Sequence, residues 1–174
     1  MIIHTTSRAT VNENLARSTS DYGLLTQLAS DKNADVRCEV ADNKNTPPEV
    51  LAQLAEDEDA GIRCGVALNE STPPETLAKL AVDEDSEVRQ SVGWNLNTPP
   101  ETLAKLANDK SRSVRIDVAH NKNTPPRALS QLAYDDDILV RRTAKKNPHT
   151  PTNLDQVPMP NAYNMSRTNI IEIN

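Results

Sequence analysis

The chain has 174 residues, with three Tyr, one Trp and no Phe among them. Only 36% of residues are hydrophobic and the formal net charge is −6. This composition excludes a large aromatic core, and no apolar run reaches the ~18 residues that a membrane-crossing helix needs.

The opening stretch, residues 1–19, has no continuous apolar segment of the kind a secretory signal carries, and two Cys do not make a disulfide framework. A reducing, cytoplasmic setting is therefore expected. Val11, Leu15 and Ala16 share one helical face in this segment and are expected to cap the first repeat.

From Ser20 onward the chain repeats itself. Thr46, Thr72, Thr98, Thr124 and Thr150 stand 26 residues apart, and aligning on them gives five units: 20–45, 46–71, 72–97, 98–123 and 124–149. Each unit opens on Thr-Pro-Pro, except the first, and the pattern predicts two helices per unit. In the first helix, here helix A, Thr46 is expected to cap, Pro to occupy the first turn and Glu49 to close a capping box. Leu51, Leu54 and Ala55 then form its apolar face, over about ten residues. The second helix, helix B, is expected to start at the column Asn33, Asp59, Asp85, Ser111 and Asp137, all residue types that cap well. Val36, Val40 and Ala41 give it an apolar face. The unbroken column Asn43, Asn69, Asn95, Asn121 and Asn147 is expected to end it through the left-handed conformation that Asn tolerates.

Neither helix can bury its apolar face within one unit, so stacked neighbours must do it. The predicted fold is an all-α, right-handed α-solenoid of about five helix–turn–helix repeats. Residues 150–174 read as a decayed half-repeat and a flexible tail, because Pro158 falls where Leu54 should recur.

Two further columns are charged in every copy. Asp31, Asp57, Asp83, Asp109 and Asp135 form one, and Arg37, Arg63, Arg89, Arg115 and Arg141 the other. A single catalytic constellation would not recur five times at equal spacing. The expected role is a structural ladder between repeats. The sequence holds no Gly-rich phosphate loop, no H-E-x-x-H and no C-x-x-C, so no catalytic residue, metal or cofactor is expected.

At these residues the chain resembles the leucine-rich repeat variant family. The unit "TPPEVLAQLAEDEDAGIRCGVALN" carries the likeness, and the Asp-x5-Arg spacing is similar to HEAT repeats. The resemblance covers residues 20–149. It implies a bacterial α-solenoid that presents an interaction surface, without naming a partner.

Packing does not dictate the outward columns of helix B, and these differ from copy to copy. One reads Asp42, Leu68, Trp94, His120, Lys146; its neighbour reads Cys38, Cys64, Gln90, Ile116, Arg142. Exposed apolar groups rimmed by charge mark binding surfaces. The expectation is a non-catalytic scaffold that binds another protein through the concave stripe of its B helices. Trp94 would anchor it, with Leu68, Gln90, Ile116 and His120 beside it, and Arg142 and Lys146 would add steering at one end. A competing placement folds Trp94 onto the core near Gly93.

Charge divides the chain: residues 1–99 hold 8 basic and 17 acidic side chains, and residues 100–174 hold 11 and 8. The basic end leaves nucleic-acid binding as the alternative, although the missing stacking aromatics argue against it. A solenoid lyase or isomerase with a small-molecule groove is the remaining reading.

Overall fold

The structure is a computed structural model that describes residues 8–154. Eleven helices and no strand occur among the described residues. The first, α1 (Arg8–Ser18), precedes the repeats. The A helices are α2 (Tyr22–Leu28), α4 (Pro48–Leu54), α6 (Pro74–Leu80), α8 (Pro100–Leu106) and α10 (Pro126–Leu132). The B helices are α3 (Ala34–Asp42), α5 (Ala60–Leu68), α7 (Ser86–Trp94), α9 (Arg112–His120) and α11 (Ile138–Lys146). Every boundary recurs at the 26-residue interval read from the Thr column.

B helices pack directly on one another, α3 on α5, α5 on α7, α7 on α9 and α9 on α11, and α1 takes the place of a B helix against α3. Each A helix packs between the B helix before it and the B helix after it. The B layer is therefore the compact side of the array and the A layer the open side. Close approach in the B layer depends on small residues. A Cβ built on Gly65 would lie 2.9 Å from the Asp42 carboxylate and 3.2 Å from the Ala41 Cβ. The core is one continuous seam between the layers, built of Leu51, Leu54, Leu77, Leu80 and Leu103 from the A helices and Val40, Val66, Val92 and Val118 from the B helices. In α1 it is Ala16 that is buried, while Val11 and Leu15 stay exposed.

Three local expectations change. Helix A has seven residues, not about ten, because the chain turns at an Ala C-cap to bring the ladder Asp into position. Its N-cap is Pro47, Pro73, Pro99 or Pro125, with no side-chain cap bond, so no capping box forms. The buried Thr instead looks backward. The Thr46 hydroxyl donates to the Val40 carbonyl at 2.6 Å, and Thr72 and Thr98 do the same to Val66 and Val92. This adds a side-chain bond to a carbonyl in the last turn of helix B, where the regular i to i+4 partner is missing.

The Asn column also acts differently. Its members have extended backbones, and no described residue has a positive φ. Each buried Asn amide crosses to the preceding repeat. Asn95 Nδ2 donates to the carbonyls of Ala67 at 2.8 Å and Asn69 at 3.1 Å, while its Oδ1 accepts from the Asn97 backbone. Asn69, Asn121 and Asn147 repeat the pattern one unit back or forward.

The charged columns interlock at the A–B turns. Arg89 grips Asp109 of the next repeat in a two-point ion pair, 2.7 and 3.0 Å, and also donates to the backbone carbonyl of Asp83 in its own repeat. Arg37–Asp57, Arg63–Asp83 and Arg115–Asp135 share this geometry. Such fork-to-fork pairs are stronger and more directional than single contacts. Burial pushes the Asp109 carboxyl up, but hydrogen bonds from Arg89 and the Ser111 backbone outweigh it and hold the group below the usual carboxylate range. Asp57 and Asp83 behave alike. At the N-terminal end Asn12 of α1 replaces the arginine and donates to Asp31 at 2.8 Å.

Of the segment read as a half-repeat and tail, residues 155–174 lie outside the described residues. Thr150 begins that segment as the column predicts, with its hydroxyl donating to the Ala144 carbonyl.

Candidate interaction groove on the B helices

With Val and Ala turned inward, each B helix presents four residues outward at helical spacing. On α7 these are Glu87, Gln90, Ser91 and Trp94. Trp94 is the last residue of its helix, where the backbone turns into the C-cap Asn95. The indole is 54% exposed and lies over the next repeat. Its ring stacks on His120, centroids 5.6 Å apart and planes within 2°. The placement against the core at Gly93 is therefore excluded. Gly93 serves the helix packing, since a Cβ there would lie 3.2 Å from Val118 Cγ2 of α9.

Beside Trp94 a groove of about 550 Å³ opens along the B face. Cys64 and Leu68 from α5 form one wall, Glu87, Gln90 and Ser91 of α7 form the floor and Asp117 of α9 closes the end. Leu68 is 50% exposed and stands as the apolar counterpart of Trp94. A smaller depression of about 190 Å³ lies beyond Trp94, between the ring, Leu96, His120 and Lys122. A third, near Lys146 and Thr143, borders the other side of His120.

The groove's electrostatics are one-sided. Burial pushes the Asp117 carboxyl up, against the opposing effect of a hydrogen bond with Gln90 and the nearby His120. Burial likewise raises the Cys64 thiol, with a Ser91 hydrogen bond acting the other way. Burial and the carboxylates of Asp42 and Glu39 raise Cys38. Both cysteines are free. Among the described residues no group of three or more His, Cys, Asp or Glu is placed to hold a metal ion. None of the described helices is long and apolar enough to cross a membrane.

The candidate residues of the sequence thus separate. Trp94, Leu68 and Gln90 line the main groove, and His120 backs Trp94. Ile116 is half-buried and packs on the core, so it contributes support and not free surface. Lys146 borders the depression beyond His120, and Arg142 is exposed on α11, outside the main groove. Asp117 and Glu87 join the site only in the folded array. Their columns vary in the same way as the Trp94 column, but a lone carboxylate on a helix carries no signal until a groove forms around it.

The family model described as leucine rich repeat variant matches residues 34–59, 60–85 and 112–137. A solved structure described as a leucine-rich repeat variant with a novel repetitive structural motif superposes with a TM-score of 0.63 at 31% identity, covering 80% of this chain. The match spans 56% of that protein's length. An engineered protein of known structure superposes with a TM-score of 0.52 at 18% identity, over 90% of this chain and 94% of the other, a likeness of fold alone. No curated protein matches the chain.

Proposed function

The array belongs to the leucine-rich repeat variant family, and we propose that it works as a non-catalytic scaffold that holds a protein segment on its B face, with Trp94 as the anchor. One observation carries this reading. The only tryptophan of the chain is spent on the surface, at a position where no core contact requires it, beside a groove with an apolar opposite wall. Trp is enriched among residues that dominate binding energy, and its stacking on His120 fixes the ring before any partner arrives. Arg142 and Lys146, exposed on α11, would steer an acidic part of the same partner toward the far end of the face.

A photo-crosslinking amino acid placed at Gln90, on the groove floor, tests this. Crosslinking to a protein in native lysate is expected from Gln90 and not from Glu75, an exposed position on the opposite layer. Equal yields from both positions, or crosslinks to nucleic acid alone, would contradict the reading.

A further inference from the structure

The shape of the groove leaves its occupant open, but its charge does not. Six residues decide the matter: Cys64, Leu68, Glu87, Gln90, Trp94 and Asp117. Two are carboxylates and none is a cation. The arginines of the ladder are turned to the other end of the B helices and are engaged by Asp83 and Asp109. Neither Lys nor Arg joins Glu87 and Asp117 in the groove lining; Asp117 has the Gln90 amide and His120 nearby, and it also borders the smaller depression that Lys122 lines. One indole face is used by His120, and Trp94 also lines the groove.

A tryptophan face attracts a cation through its ring quadrupole, and carboxylates on either side complete the environment that a guanidinium or ammonium needs. The alkyl stem of such a side chain also suits the apolar wall at Leu68. The rest of the B face agrees. Helix α3, two repeats before Trp94, presents Asp35, Glu39 and Asp42, while α11 presents Arg142 and Lys146. Glu39 is already paired with Arg17, which leaves Asp35 and Asp42 to extend the acidic end.

Building on the scaffold reading, we propose that the groove takes a basic side chain, arginine or lysine, from an extended peptide segment. Its cationic head lies on the free face of Trp94 between Glu87 and Asp117, and its stem lies along Leu68. The flanking basic residues of the peptide run toward α3.

Because Trp94 is the sole tryptophan, its fluorescence reports on this site alone. The probes are three capped tripeptides, Leu-Arg-Leu, Leu-norleucine-Leu and Leu-Glu-Leu, titrated into the intact chain. The arginine peptide is expected to change Trp94 emission saturably and to bind about tenfold more tightly than the other two, the difference that one charge-assisted contact makes. In the double variant Glu87→Gln/Asp117→Asn that preference is expected to disappear, with helical circular dichroism unchanged. Equal binding of the arginine and norleucine peptides would overturn the cation assignment and leave the scaffold reading standing. Preference for the glutamate peptide, or no response to any of the three, would also overturn it. The crosslinking experiment at Gln90 judges the scaffold reading separately.

Discussion

The two ends of each B helix obey opposite rules. At its start, where the chain arrives from helix A, every repeat carries the same Asp and the same Arg. At its finish, the outward position changes from Asp42 to Leu68, Trp94, His120 and Lys146. The structure supplies the reason. At the start, Arg63, Arg89 and their equivalents bond to the next repeat, so a change in one copy leaves a charge unpaired in another. At the finish, the outward side chain makes no bond that recurs from repeat to repeat. Sameness here reports bonding between repeats, and difference reports freedom from it.

The constant end should be the more fragile of the two. Arg89→Met leaves the Asp109 carboxylate, 9% exposed, without its partner. Removing one member of a buried pair costs about 3–5 kcal/mol, and urea unfolding should show a loss of that order. A loss below about 1 kcal/mol would reduce the ladder to a surface ion pair. Leu103→Ala, in the seam, should cost about 2–5 kcal/mol by the same measurement, and a smaller loss would place Leu103 outside the packed core.

Asn95→Ala comes next. It strips hydrogen bonds from two buried carbonyls in the preceding repeat, and about 1–3 kcal/mol should be lost. If Asn95 were a left-handed stop signal, Asn95→Gly would match or exceed the wild type in stability. With its amide bonded across to the preceding repeat, Asn95→Gly should be as damaging as Asn95→Ala.

Acid should act on the constant end as well. Asp57, Asp83 and Asp109 titrate below the usual carboxylate range in the folded chain. A group depressed on folding contributes stability above its unfolded pKa, and that contribution fades as pH falls through the folded value. The melting temperature should therefore fall as pH drops below about 4, near the unfolded range of Asp. The triple variant Asp57→Asn/Asp83→Asn/Asp109→Asn should start lower and show a flatter acid limb. An acid limb of unchanged slope would mean that other carboxylates cause it.

The repeat, its register and the positions of both helices were legible because a 26-residue period leaves few choices of alignment. The Leu and Val columns give the seam directly. The roles of Thr98 and Asn95 were not legible. A small polar residue beside a helix end serves equally for a local cap and for a bond across to another element, and only the packing of the B layer decides between them. Likewise the Trp94 column reveals that the position is free, but not that the ring would settle on His120 of the next repeat. Asp117 stayed hidden because its chemistry belongs to the groove, which no single helix contains.

The variable end should yield the smallest change in stability and the largest change in binding. Trp94→Ala removes a half-exposed ring and its stack on His120 and should alter unfolding free energy by about 1 kcal/mol or less. The decisive measurement takes this variant and the wild type through thermal melting and through capture of the protein crosslinked at Gln90. Melting curves within a few degrees of each other, with capture lost in the variant, are the expected result. A variant that melts much earlier, or that captures the protein as well as the wild type does, would contradict the role given to Trp94.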